Sequence, residues 1–199
     1  MALEFWFEFA STYSYPAAMR IESLALERGV PLVWRPFLLG PIFRNQGWND
    51  SPFNLYAAKG RYMWRDLERV CEAHGIAFRR PTRFPRNGLL AARVSCRFSD
   101  AAWLPEFTRS VYRANFAEDL DIADPAVLAS CLACSGEDPR RLLDEAQSEP
   151  AKATLRAQTE AAARLGIFGA PSFVVNGELF WGNDRLEDAI AWATRRHRA

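Results

Sequence analysis

The chain has 199 residues, 25 basic and 24 acidic side chains and a formal charge of +1, with 49% hydrophobic and 25% charged residues. That is the make-up of one ordinary folded domain, or of one domain carrying a large insertion. The near-zero charge argues against nucleic-acid and membrane-surface binding, which draw on a basic excess, and no run approaches the roughly 18 apolar residues that suggest a membrane span.

The first nine residues lack a basic segment and carry Glu4 and Glu8 where a secretory signal is apolar, so a cytoplasmic protein is expected. The same residues alternate. Leu3, Phe5, Phe7 and Phe9 share one face and Glu4, Trp6 and Glu8 the other, which predicts a strand with one strongly apolar face. After the polar break Ser11-Thr12-Tyr13-Ser14-Tyr15, Pro16 suits a first helical turn, and Ile21, Leu24 and Ala25 recur at helical spacing until Gly29. Residues 30–37 read as a second strand. The right-handed crossover rule makes the two strands parallel neighbours in a β-α-β unit.

Residues 45–165 read as helical. Met63, Leu67, Val70 and Cys71 line one helix face ending at Gly75, Asp124-Pro125 and Asp138-Pro139 each place a capping acid before a first-turn proline, and Gly136 and Gly166 close two more helices. Charge is uneven here: residues 79–97 hold six Arg and no acid, residues 117–150 nine acids and two Arg. Either these are solvated faces of opposite sign, or the arginines form a wall facing an anionic ligand. At the far end, Ser172–Val175 and Glu178–Trp181 flank Asn176-Gly177, a strong hairpin signal. A last helix follows Asp184, with Leu186, Ala189, Ile190 and Ala193 on one face. The pattern is an α/β chain of thioredoxin-like fold, β-α-β … β-β-α, with a large all-helical insertion domain. The expected boundaries are 1–40 plus 160–199 for the thioredoxin-like domain and 41–159 for the insertion.

In such a fold chemistry sits where the first strand meets its helix, because the helix N-terminus points free N–H groups and partial positive charge at an anion such as a thiolate. Redox members place Cys-x-x-Cys there; here the turn reads Ser11-Thr12-Tyr13-Ser14. A serine forms no disulfide, so the thiol would belong to a ligand and the Ser11 hydroxyl would donate to its sulfur. The plainer reading of Ser11 and Ser14 is helix capping. In Gly169-Ala170-Pro171-Ser172-Phe173, the thioredoxin fold makes the proline cis, and Ala170 then offers its backbone as a strand edge to an extended peptide. Asn183 and Asp184 either cap the last helix, or Asp184 pairs with a ligand's ammonium while the helix-start N–H groups receive its carboxylate.

Phe9-Ala10-Ser11-Thr12-Tyr13-Ser14-Tyr15, Gly169-Ala170-Pro171-Ser172-Phe173 and Trp181-Gly182-Asn183-Asp184-Arg185 together resemble the 2-hydroxychromene-2-carboxylate isomerases and the related kappa-class glutathione transferases of the DsbA-like thioredoxin superfamily. The resemblance runs through the insertion as well, in Gly47-Trp48-Asn49-Asp50-Ser51-Pro52, Lys59-Gly60-Arg61-Tyr62, Phe84-Pro85-Arg86-Asn87 and Asp121-Ile122-Ala123-Asp124. Thr12 departs from it, standing where many relatives have proline.

The resemblance implies glutathione as cofactor. Ser11 holds its sulfur as thiolate, Ala170 and Pro171 pair with its cysteinyl backbone, and Trp181, Gly182, Asn183 and Asp184 form the γ-glutamyl pocket. It implies an isomerase that turns a 2-hydroxychromene-2-carboxylate type of substrate, an aromatic carboxylate, into the trans-o-hydroxybenzylidenepyruvate type by reversible thiolate addition. Asn49, and more loosely Phe43, Lys59, Tyr62, Arg86 and Asn87, would meet that substrate, and a homodimer is expected. A glutathione transferase or peroxidase of the same architecture is the alternative. A non-catalytic glutathione-binding module and a disulfide oxidoreductase using Cys131-Leu132-Ala133-Cys134 are more remote, since that pair ends a helix with no strand before it and reads as buried structural cysteines. Four cysteines (Cys71, Cys96, Cys131, Cys134) are too few for a disulfide framework, and two histidines, His74 and His197, too few for a metal site or, where they fall, for a Ser-His-Asp hydrolase.

Overall fold

In the computed structural model, which describes residues 1–195, strand β1 (Leu3–Phe7) is covered on both faces; His197 lies outside the described residues. Leu3, Phe5 and Phe7 are fully buried in the main core, as the alternation predicts. Trp6, expected on the polar face, is also buried, at 3% exposure, in a second cluster with Phe37, Ile42, Ala162, Ile167 and Val174. The reason lies far along the chain: α9 (Glu149–Arg164) lays Ala161 and Ala162 against that face.

Helix α1 (Ser14–Glu27) follows the turn, and β2 (Leu32–Pro36) pairs parallel to β1 from Leu3↔Leu32 to Phe7↔Pro36. The hairpin β3 (Ser172–Val175) and β4 (Glu178–Trp181) turns at Asn176-Gly177, both at positive φ as a tight primed turn requires. The sheet order is β2-β1-β3-β4, with β3 antiparallel to β1 and β4 to β3. A short 3₁₀ turn, Asn183–Arg185, leads into α10 (Leu186–Thr194), which packs with α1 on the main-core face.

Between β2 and β3 come α2 (Leu39–Asn45), α3 (Pro52–Leu55), α4 (Ala57–Ala73), α5 (Leu89–Arg97), α6 (Leu104–Phe116), α7 (Pro125–Cys131), α8 (Pro139–Ala146) and α9. Asp124 and Asp138 cap α7 and α8 as expected, each carboxylate accepting from an N–H of the first turn, Ala126 at 2.8 Å and Arg140 at 3.0 Å. The region is less uniformly helical than the sequence suggests, since residues 76–88 have no helix and contain a cis Phe84–Pro85 bond. The boundary expected at 159/160 falls inside α9.

The two oppositely charged stretches meet in space. Arg86 pairs with Asp119, Arg79 approaches Asp119 at 3.9 Å, and Arg97 reaches Glu145 at 3.3 Å. Of the six arginines, only Arg86 reaches the large cavity described below.

Candidate active site

The end of β1, the start of α1 and the approach to β3 converge. Ser11 is half-buried; its hydroxyl donates to the Ala170 carbonyl at 2.9 Å, and its oxygen accepts from the Ser14 N–H at 3.3 Å. Its own N–H bonds to the Glu8 carbonyl at 2.9 Å. Ser11 is therefore a capping residue and a bridge to the opposite segment at once. The Ala170–Pro171 bond is cis. Beside it, a Cβ on Gly169 would lie 2.4 Å from Trp181 Nε1, so only glycine lets the indole lie against this backbone.

These groups open on a cavity of about 1430 Å³. Ser11, Ala170, Trp181 and Gly182 line one end, and Phe43, Asn49, Lys59, Tyr62, Arg86 and Asn87 line the rest. Pro171, Asn183 and Asp184 stand behind the wall. Neither of the last two caps α10, whose first turn has no side-chain cap. Asn183 is buried, with its Oδ1 unpartnered among the described residues. Asp184 folds back over Gly182, which at φ +113° would set a Cβ 2.4 Å from the Asp184 carboxylate.

The wall residues differ in how free they are. Arg86 is 7% exposed, and its guanidinium donates to the Asn115 carbonyl (3.0 Å) and amide oxygen (3.2 Å), to the Asp119 carbonyl (3.1 Å) and to the Asp119 carboxylate. The Thr82 N–H foremost, and the Arg86 guanidinium next, hold the Asp119 carboxyl down at about 2. Asn87 accepts from the Leu89 N–H at 2.9 Å. Lys59, by contrast, is exposed, its ammonium lies over the Tyr56 ring 4.9 Å from the centroid, and it forms no ion pair among the described residues. Phe43 stacks at a tilt on Trp48, centroids 5.6 Å apart. Tyr13, at the mouth of α1, donates to Asp66 on α4 at 2.8 Å; burial foremost and that carboxylate next push its phenol pKa up, so it stays neutral.

Residues 2–190 match the DSBA-like thioredoxin domain. The chain belongs to that family. A 2-hydroxychromene-2-carboxylate isomerase of Sphingobium xenophagum is 28% identical over 186 residues, covering 93% of this chain and 94% of that protein. The human glutathione S-transferase kappa 1 is 28% identical over 176 residues, 79% of this chain and 75% of that protein. A solved structure of 2-hydroxychromene-2-carboxylate isomerase superposes with TM-score 0.83 at 26% identity, over 96% of this chain and 95% of that one.

This DSBA-like domain carries hydroxyls, not thiols, at its active turn. Its one Cys-x-x-Cys lies elsewhere, and one expectation for it needs correcting: Cys131 is buried, but Cys134 is exposed, because the pair straddles the end of α7 and the 3₁₀ turn Leu132–Ser135. Burial pushes the Cys131 thiol up to about 11 and raises Cys134 as well, the reverse of what a reactive thiolate requires.

Among the wall residues that sequence reasoning missed are Arg44 and Glu8. Arg44 is an exposed cation on the cavity, at the C-terminal turn of α2, and forms no ion pair among the described residues. Glu8, expected with Glu4 and Trp6 on the face opposite the phenylalanines, is a partly buried carboxyl of the cavity wall just past the end of β1. Its signal was position: ligands of α/β sheets gather outside the carboxyl ends of the strands.

Proposed function

We propose that the protein is a glutathione-dependent isomerase acting on a substrate of the 2-hydroxychromene-2-carboxylate type, the cyclic hemiketal of a conjugated aromatic α-keto acid. The observation that carries the reading is the Ser11–Ala170 pair: a hydroxyl at a helix N-terminus, bonded to the backbone beside a cis-proline, at one end of a cavity large enough for two small molecules.

The donor set fits glutathione. When bound, glutathione supplies a thiolate nucleophile. Ser11 turns its hydroxyl from the Ala170 carbonyl to the sulfur, a charge-assisted bond that favours the ionised form. The same turn releases the Ala170 carbonyl to accept an N–H from the extended peptide. The N-terminus of α1 adds partial positive charge. Trp181 and Gly182 wall the same end, with Asp184 behind Gly182 to receive an ammonium and the unpartnered Asn183 oxygen buried beside it. Lys59 and Asn49 hold the substrate carboxylate, and Phe43 and Tyr62 offer ring faces. Arg86 and Asn87 keep their places in the wall by bonds to their own fold and contribute shape. A homodimer belongs to the same reading, and sedimentation tests it.

The kappa transferase among the relatives sustains a second reading, in which glutathione is consumed. Glutathione binding, followed by calorimetry and by thiolate ultraviolet absorbance, tests the shared premise in wild type and Ser11→Ala. Thiolate absorbance near neutral pH is expected only with Ser11 present. No binding by wild type at millimolar glutathione would contradict the cofactor.

A further inference from the structure

Glu8 lies immediately after β1 on the floor of the cavity, between the turn that carries Ser11 and the segment that carries Asn87. Its main chain is fixed, its carbonyl accepting from the Ser11 N–H and from the Tyr112 hydroxyl of α6, both at 2.9 Å. Its carboxyl takes one bond, from the Ala10 N–H to Oε2 at 3.1 Å, and Oε1 has no hydrogen-bond partner among the described residues. Gly88 lies against it: a Cβ there would be 3.6 Å from Oε1, an ordinary contact, but 2.7 Å from Phe9 Cβ, so only glycine lets the backbone at 88 come this close.

Resting on the isomerase reading, we propose that Glu8 is the proton-transfer residue of the site: its carboxylic acid protonates the keto oxygen of the substrate as negative charge arrives there, and its carboxylate takes the proton back when the double bond re-forms. The hemiketal ring opens first: the C2 hydroxyl loses its proton as the C2–O1 bond breaks, and the ring oxygen takes up that proton, leaving a keto C=O and a phenol O–H. Nucleophilic attack at the conjugated carbon then shifts the C=C pair toward the keto group, whose π pair ends on oxygen. The Glu8 O–H bond breaks, its electron pair stays on the carboxylate, and an O–H bond forms on the substrate enol. The former double bond is now single and turns. In the reverse half, Glu8 removes that proton, the C=C bond re-forms, and the bond to the nucleophile breaks. Nothing is consumed, as an isomerase requires.

The surroundings favour a neutral acid in the resting site. No cation lies within ion-pair distance of Glu8 among the described residues; burial holds its pKa at about 7, which the Ala10 N–H offsets only in part. A resting carboxylate here would repel an anion held at Ser11. From α6, Tyr112 faces it with a phenol whose pKa burial raises, so it stays neutral. From the 85–88 segment, Arg86 is taken up by Asn115 and Asp119.

The test compares wild type with Glu8→Gln and Glu8→Asp, using glutathione and 2-hydroxychromene-2-carboxylate as probes. Glu8→Gln keeps glutathione affinity and thiolate absorbance, which shows an intact fold. Its kcat falls about 100-fold or more, the scale of lost general acid catalysis, and its kcat/KM loses the limb that falls above pH 7 in wild type. Glu8→Asp regains part of the rate together with that limb. Independently of turnover, the infrared band of a protonated carboxyl titrates near pH 7 in wild type and is missing from Glu8→Gln. Turnover of Glu8→Gln within about threefold of wild type with the limb unchanged, or a wild-type band titrating near the ordinary 4.5, overturns the proposal. Wild type that binds glutathione but leaves the probe unisomerised overturns the isomerase reading, and this proposal with it.

Discussion

Ser11, Glu8 and Arg86 all touch the cavity, yet each is held by a different balance. Ser11 has one hydroxyl proton and gives it to Ala170 when no ligand is bound. Removing it in Ser11→Ala loses a capping bond worth about 1 kcal/mol of stability, a small change beside the expected loss of thiolate formation. Arg86 is the opposite case. Its guanidinium is buried and its partners are protein atoms, so Arg86→Met should destabilise the fold by about 3 kcal/mol, lowering Tm by about 6–12 °C, as differential scanning calorimetry would register; an unchanged Tm would mean that Arg86 is free for substrate.

Glu8 makes stability depend on pH in a definite direction. The folded-state pKa, about 7, stands above the ordinary 4.5, so between those values the folded protein keeps a proton that the unfolded chain has lost. Stability contributed by this group is present below pH 4.5 and falls as pH rises through 7. Glu8→Gln carries no such proton; relative to wild type its stability should be level at pH 4.5 and higher by roughly 1–3 kcal/mol at pH 8, which denaturant unfolding at the two pH values checks. At this scale the sequence showed Ser11, because its place at the strand–helix turn is itself the signal. Alternation could not separate Glu8 from Glu4, since it does not say where a strand meets a cavity.

Elements whose boundaries depend on local chemistry were legible. Asp124-Pro125, Asp138-Pro139 and Asn176-Gly177 act through bonds and dihedrals within a few residues, and the structure uses them as read. Elements that depend on distant partners were not. The burial of Trp6 needs α9, about 150 residues away in the chain, and the irregular 76–88 segment is held by Arg86 reaching α6 and Asp119. The last helix begins without the expected Asn183 or Asp184 cap because a 3₁₀ turn intervenes. The α3–α4 corner gives a sharp prediction. A Cβ on Gly60 would lie 2.3 Å from the Phe53 carbonyl oxygen, so α3 rests on a bare turn of α4. Gly60→Ala gains about 1 kcal/mol of helix propensity but drives α3 off its seat, moving the rim formed by Ser51, Pro52 and Phe53. Faster proteolysis within residues 45–56 and weaker substrate binding are expected, with glutathione affinity retained.

Across the whole molecule, the charge asymmetry of the chain becomes structure and not a ligand wall. Arg79, Arg86 and Arg97 of the Arg-rich stretch meet acids of the other, and the cations left on the cavity without ion pairs among the described residues, Arg44 and Lys59, come from α2 and α4. No helix among the described residues is long and apolar enough to cross a membrane. One cavity is lined both by Ser11 and by those two cations, and on the proposed function a small thiol and an anionic aromatic share it. The direct measurement is to supply 2-hydroxychromene-2-carboxylate in large excess over glutathione, follow the trans product by absorbance, and count free thiol before and after. Many turnovers per glutathione with the thiol count unchanged is the expected result. Thiol lost in proportion to substrate, or no product while glutathione is bound, would contradict the isomerase.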